Sequence, residues 1–598
     1  MNKAVYQSFE ASSEPEKGPE RLEMLRAEMR KADLDAFLVP RSDVHQGEYV
    51  APADERLAWL TGFTGSAGFC AVTLRSAGVF VDGRYRVQVK EQTRAPFVPV
   101  DWPEVSLGDW LKETLTAGIV GFDPWLHSAQ EIKSLKNTLA SCDITLRPVE
   151  NLIDKIWQDR PSPPMGLART FTDDLSGERH LDKRTRLAEQ LRTGGHSGAF
   201  LSLPDSICWL LNIRGQDVAH NPIVHGFAVL HDDARIDLFM HPEKVTEIRG
   251  HLGNDVTLRN PHELLNYIKS YQGIMRLDAG SVPWAISDAL GENGQLSTDP
   301  VSLPKACKNT TELKSARESH LRDAATMCRF LCWLDAQPNG ALSEIDAAIK
   351  LEEFRRQDPL MDEISFDTIS AAGPHAALPH YRVTTESNRT LNEGEVYLVD
   401  SGAQYKDGTT DITRTLAIGP QPENVKRAFT RVLKGMIAIS RLRFPKGISG
   451  RDIDAFARAA LWAAGQDYQH GTGHGVGHVL SVHEGPQSLS RRSTLPFEAG
   501  MILSNEPGFY QEGAFGIRTE NLLIVVPASD QDNENLSDFL EFETLTYVPI
   551  DRRLIVREML NSDELAWLNA YHQICRDKIR PRLDHAEQLW LDPVTQPM

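Results

Sequence analysis

The chain has 598 residues, 41% of them hydrophobic and 25% charged, the ordinary balance of soluble globular protein and enough length for three or four domains. A formal charge of -19 at pH 7 argues against nucleic acid or an anionic membrane as partner, since either would need basic patches and none is evident. No apolar run reaches the length of about 18 residues that spans a membrane, residues 1–20 are polar and acidic, and the seven cysteines form no CxxC pair, so a cytoplasmic location is expected.

Residues 21–32 have the amphipathic spacing of a helix. Residues 54–85 then hold an acidic residue, Trp59-Leu60, a glycine-bounded turn and two apolar strands. Residues 205–240 repeat that order with Trp209-Leu210-Leu211, Gly215 and two further apolar stretches, again after an amphipathic segment at 181–192. Two copies of one α/β domain are therefore predicted. The cluster Pro161-Ser162-Pro163-Pro164 breaks any regular element and marks their boundary, giving domains over 1–163 and 164–308. A third domain, 309–598, is expected to open on a long helix in which Leu313, Ala316, His320-Leu321, Ala324, Met327 and Leu331 step by three and four. On that helix Cys328 and Cys332 read as small packed side chains.

Three segments of the third domain carry chemistry. Residues 394–419 predict a hairpin turning at Lys406-Asp407-Gly408, with Asp400 and Asp411 roughly opposite each other. Aspartate is disfavoured in mid-strand, and two facing aspartates repel unless a cation lies between them. In residues 470–478, glycine takes every odd position from 471 and histidine occupies 470, 474 and 478. Each glycine would cost a helix about 1 kcal/mol relative to alanine, so the segment reads as extended, with the imidazoles on one face and no side chains on the other. Alone it is also compatible with a glycine-rich surface loop. Residues 502–526 add Glu506, before Pro507-Gly508, and Glu520, placed by period two on the same face as Arg518. A closing helix over 562–579 carries Leu565, Leu568, Tyr571, Ile574 and Cys575 on one stripe.

Val399-Asp400-Ser401-Gly402, Thr410-Asp411-Ile412-Thr413-Arg414, the glycine-histidine segment followed by Val482-His483-Glu484-Gly485-Pro486, Asn505-Glu506-Pro507-Gly508 and Arg518-Thr519-Glu520-Asn521 together resemble the pita-bread metallopeptidases. Upstream, Gly62-Phe63-Thr64-Gly65-Ser66-Ala67-Gly68 and Asp82-Gly83-Arg84-Tyr85 resemble the first domain of the three-domain, cytosolic type of aminopeptidase P. Downstream, Trp567-Leu568-Asn569-Ala570-Tyr571-His572 resembles that subgroup's C-terminal extension. The resemblance implies an α/β (α+β) architecture, with two creatinase-N-like domains before a pita-bread catalytic domain.

It also implies a ligand set of Asp400, Asp411, His474, Glu506 and Glu520 around two divalent metals, with Asp411 and Glu520 bridging. A set of four carboxylates and one imidazole is hard and oxygen-rich, so manganese is the first expectation and cobalt or zinc the second. Such a pair would hold a bridging hydroxide for attack on a peptide bond. Glu506 is the expected proton shuttle. His380 and His483 are expected on the substrate's carbonyl and the group after the cut bond, and His470 farther out. Arg518 is expected to orient Glu520, while Arg84 is expected either to reach substrate, in a neighbouring subunit of a homodimer, or to make a surface ion pair in its own turn. His478 departs from the small residue expected in the subgroup and is left outside the site. The implied reaction is release of an N-terminal residue that precedes proline from a peptide. The alternatives are a prolidase, restricted to Xaa-Pro dipeptides, and a non-catalytic binding protein of the same fold. The metal-free creatinase reaction would leave the four acids unexplained.

Overall fold

The computed structural model describes residues 4–529 and 536–598. They form two compact units, one spanning Ser12–Ser302 and the other Leu303–Met598 together with the first residues up to Ala11.

The repeat inferred from sequence is a topological one. In the first half of the N-terminal unit, six strands lie in the order Phe97–Asp101, Ala77–Val81, Phe69–Thr73, Ala36–Pro40, Ala117–Phe122, Asp143–Pro148. In the second half the order is Val256–Arg259, Ile236–Phe239, Phe227–His231, Gly198–Leu201, Met275–Asp278, Gly294–Ser297. Both place the first strand fourth and pair it antiparallel to the second and parallel to the fifth. Each sheet also keeps one antiparallel hairpin and parallel strands at both edges. The predicted helices appear as Gly18–Lys31 and His180–Thr193, each leading into the first strand of its sheet and burying a leucine face, Leu22 and Leu25 in one, Leu187 and Leu191 in the other.

In the C-terminal unit, Asn309 caps the long helix Thr310–Asp335 by accepting from the Thr311 and Glu312 amides. Its buried Met327, Phe330 and Leu331 join Val396, Tyr397 and Val399 of the strand Glu395–Ser401, and Phe429, Val432 and Met436 of the helix Glu423–Ser440, in one core. Strand Glu395–Ser401 lies between Ile369–Ala372 and Ile412–Ile418. A six-stranded sheet is ordered Arg443–Pro445, Phe539–Thr544, Asn521–Pro527, Ile502–Asn505, Gly473–Gly475, Glu484–Leu489. A short ribbon, Gly508–Gln511 with Phe515–Arg518, completes the frame.

Three local expectations need correction. Only Gly473–Gly475 of the histidine segment is strand, and a register shift falls at its centre. The glycines are required there all the same, because a Cβ on Gly473 would lie 1.9 Å from the Ser504 carbonyl and one on Gly475 2.3 Å from that of Glu484. Asp400 faces Thr413 rather than Asp411 across the hairpin, since the pairing of residues 395–401 with 412–418 leaves Asp411 just outside the strand. The helix Ser562–Ile579 buries Leu568, Tyr571 and Cys575, but its Ile574 is exposed.

Candidate metal centre

Three parts of the C-terminal unit converge. The hairpin supplies Asp400 and Asp411, the strand Gly473–Gly475 supplies His474, and the break between strands Phe515–Arg518 and Asn521–Pro527 supplies Glu520. One ligating atom each from Asp411, His474 and Glu520 lie within 4.8 Å of one another. Glu506, directly after strand Ile502–Asn505, brings Oε1 to 3.6 Å from His474 Nε2, which lies 3.5 Å from Asp411 Oδ2. Asp400 is held by Arg518, whose Nη2 donates to its Oδ2 at 2.6 Å.

The hairpin is locked from behind. Buried Asp323 accepts from Arg355 at 2.8 Å, from the Tyr405 hydroxyl at 2.8 Å and from Thr410 Oγ1 at 3.1 Å, so both arms are tied to the long helix. Ser504 ties the histidine strand to Glu506: its hydroxyl accepts the His474 amide at 2.9 Å and donates to Glu506 Oε1 at 3.2 Å.

Arg518 does not reach Glu520 directly, as the shared strand face had suggested. Its Nε donates to Thr413 Oγ1 at 3.2 Å, and that hydroxyl donates to Glu520 Oε2 at 2.7 Å. Thr413 is the link, and the signal for it was its period-two spacing from Asp411. Arg518 Nη1 also donates to the Tyr510 hydroxyl at 2.7 Å, which lies 2.9 Å from His470 Nε2. His470 thus joins the site through Tyr510 and Arg518, and Tyr510 carried no sequence signal. The ring of His483 stands edge-on to that of His474, 4.4 Å between centroids. His380 follows the short helix Gly373–Ala377 and is half-buried. His478 is buried. In the N-terminal unit, the Arg84 guanidinium is gripped by Asp82 at 2.7 Å and lies over the Tyr85 ring, 5.3 Å from its centroid.

The electrostatics are those of a site short of positive charge. Burial, opposed by Arg518 and reinforced by Asp411 and Glu506, pushes Asp400 up to about 7. Burial raises Glu506 as well, and raises Glu520 well above the usual carboxylate range with Asp411, Glu506 and Asp400 adding repulsion. Burial works against a charged His474, but hydrogen bonding to Asp411 and the charge of Glu506 outweigh it and raise the imidazole to about 9. Among the described residues none donates to Asp400 Oδ1, Asp411 Oδ1 or Glu520 Oε1, although all three atoms are buried. Buried polar atoms are nearly always satisfied, so three orphans on converging carboxylates indicate cation ligation. His474 fits the same reading, since its Nδ1 lies 2.9 Å from the Gly475 carbonyl, which holds a proton on Nδ1 and makes Nε2, facing the carboxylates, the nitrogen that would bind a cation in place of its proton.

This chain is 37% identical over 97% of its length to the "Probable Xaa-Pro aminopeptidase P" of Aspergillus niger, of which 98% is covered. Its residues 314–527 match the model of metallopeptidase family M24. The chain belongs to metallopeptidase family M24. Residues 21–156 and 159–312 each match a creatinase/prolidase N-terminal domain, and 538–598 match the C-terminal region of peptidase M24. A second M24 relative, the "Probable Xaa-Pro aminopeptidase P" of Laccaria bicolor, is 38% identical over 94% of this chain and 91% of its own. Among solved structures, the X-prolyl aminopeptidase of Caenorhabditis elegans, described as a cytosolic enzyme with a di-nuclear active site, superposes with a TM-score of 0.94 at 34% identity, covering 97% of this chain and 100% of that one. The two N-terminal sheets and the hairpin-and-strand frame around the acids are the M24 architecture with two creatinase-type domains.

Proposed function

We infer that the protein is a metal-dependent Xaa-Pro aminopeptidase, releasing the N-terminal residue of a peptide whose second residue is proline. The observation that carries this reading is the convergence of Asp411, His474 and Glu520 with buried, unsatisfied carboxylate oxygens. Its support from relatives is agreement over nearly the full chain with proteins named for that activity.

Asp400, Asp411, His474, Glu506 and Glu520 would hold two divalent cations, Mn2+ first and Co2+ or Zn2+ second, because the donors are mostly hard oxygens. Cations bound there would acidify a shared water, polarise the scissile carbonyl and stabilise the charge that develops on its oxygen. Glu506, raised above its usual range by burial, is suited to take a proton from the attacking water and give it to the departing nitrogen. Arg518 orients Asp400 and opposes the rise that burial imposes on it, and Thr413 orients Glu520. His483, packed against His474, and His380 are assigned to the substrate's carbonyl and the group after the cut bond. His470 is assigned to the site's margin, through Tyr510. Arg84 is assigned to substrate in a partner copy of a homodimer.

The remaining proposals are a cytoplasmic location and domains over 1–163, 164–308 and 309–598. No helix among the described residues is long and apolar enough to cross a membrane. The deciding experiment is to strip the protein of metal, restore each dication in turn, and assay an Xaa-Pro-Xaa tripeptide beside an Xaa-Pro dipeptide. Metal-dependent release of the first residue from the tripeptide supports the proposal. Cleavage of the dipeptide alone replaces it with a prolidase, and inactivity with every metal favours a binding protein.

A further inference from the structure

The C-terminal helix Ser562–Ile579 holds no assigned ligand, yet it is wired to one. The wire is Arg414, fully buried on strand Ile412–Ile418 next to Thr413. Its Nη1 donates to the carbonyls of Thr413 at 2.8 Å and Glu520 at 2.5 Å. Its Nη2 donates to Asn521 Oδ1 and the Val548 carbonyl, both at 2.8 Å, and to the Tyr571 hydroxyl at 3.0 Å, while Nε donates to the Pro549 carbonyl at 3.2 Å. Among the described residues every acceptor of this guanidinium is neutral. A buried cation satisfied only by carbonyls, an amide and a hydroxyl is not half of an ion pair. Its planar fork is instead a rigid bracket across the hairpin, the Glu520 segment and residues 546–550.

Tyr571 closes the bracket. Its hydroxyl accepts from Arg414 and, at 3.2 Å, from the Val548 amide, and has the Val548 carbonyl at 2.8 Å and the Thr546 carbonyl at 3.0 Å as acceptors for its one proton. Trp567 stacks on the ring at 5.1 Å and fixes its plane. The next residue, His572, serves the same segment through a different bond, since its Nε2 accepts the Ile550 amide at 3.1 Å and is not among the acceptors of Arg414.

We propose that Tyr571 and Arg414 are positioning residues for Glu520, so that the C-terminal extension sets the placement of a metal-binding carboxylate. The inference rests on the reading of Glu520 as a ligand. Outer-shell partners of metal ligands typically change metal affinity by 10–100-fold when removed. The test uses the full chain with Tyr571→Phe, Arg414→Lys and His572→Phe, the last loosening the same helix while sparing the bracket. Mn2+ stoichiometry and affinity are measured by competition with a chelator, and thermal midpoints on the metal-free proteins. Tyr571→Phe and Arg414→Lys should each raise the Kd of at least one Mn2+ by about tenfold or more. His572→Phe should lower the metal-free midpoint comparably and leave Mn2+ affinity within about twofold, well below that range. Unchanged affinity in both bracket variants, or an equal loss in His572→Phe, overturns the proposal and leaves the peptidase reading standing. A wild-type chain that takes up no dication overturns both.

Discussion

In the unit spanning Ser12–Ser302, Lys244 meets Asp217 at 2.6 Å and Arg56 meets Asp154 at 2.7 Å, each buried cation matched by an anion. In the unit beginning at Leu303, the carboxylates of Asp400, Asp411, Glu506 and Glu520 crowd together, with the Arg518 guanidinium on Asp400 and the His474 imidazole beside Asp411 and Glu506 as counter-charges. Matched pairs need nothing further. An excess of buried like charge is unstable unless a counter-charge arrives from outside the chain, so the second arrangement marks a binding centre and the first a scaffold.

The contrast is broken most sharply by removing an acid assigned to both cations. Asp411→Ala and Glu520→Ala should each lower kcat/KM for an Xaa-Pro-Xaa peptide by about a thousandfold or more, because they remove charge stabilisation at the reacting carbonyl. Elemental analysis should show less than the wild-type metal content in both. Full metal content with wild-type turnover in either variant would remove that residue from the centre.

Metal removal should expose the charge imbalance as a pH dependence. In metal-free protein Asp400 sits near 7 against an ordinary 3.8, and His474 near 9 against 6.5, so both favour the protonated native state. The Asp400 contribution is present at low pH and lost as pH rises from 3.8 through 7, that of His474 from 6.5 through 9. The thermal midpoint of the stripped protein should therefore fall between pH 6 and pH 9, and reloading with Mn2+ should flatten that slope. Parallel profiles with and without metal would mean the acids are neutralised in some other way.

The matched pairs of the first unit give the reverse result. Asp217→Ala leaves Lys244 buried without its anion and also removes the acceptor of the Gly166 and His225 amides. The expected loss is about 3 kcal/mol of stability in denaturant titration. Metal content should not change.

Much of this division was legible in the sequence because it is carried by local pattern. The doubled order of tryptophan-leucine segment, turn and apolar strands foretold two sheets of equal topology, and aspartate in mid-strand marked Asp400 as costly without a cation. What escaped was set by long-range register. The pairing that places Asp400 opposite Thr413 depends on where strand 412–418 begins, and the break at Thr519-Glu520 depends on two strands joining different sheets. Tyr510, Arg414 and the exposure of Ile574 are likewise fixed by neighbours far away in the chain, and no spacing within their own segments encodes them.

The smallest expected effect is the most discriminating, because it tests whether the acids are held in place as well as brought together. Thr413→Val keeps the side chain's shape and removes the hydroxyl that donates to Glu520 Oε2 and accepts from Arg518 Nε. Mn2+ affinity should fall about tenfold by chelator competition, while stability drops by about 1–3 kcal/mol for the group left unpaired. Thr415→Val provides the comparison on the same strand face. Among the described residues its hydroxyl serves only the Arg518 backbone, donating to the carbonyl at 2.9 Å and accepting from the amide at 3.1 Å, so it should cost similar stability with little change in Mn2+ affinity. If the two variants bind Mn2+ equally, Thr413 is a packing residue and the orientation of Glu520 rests on its backbone alone.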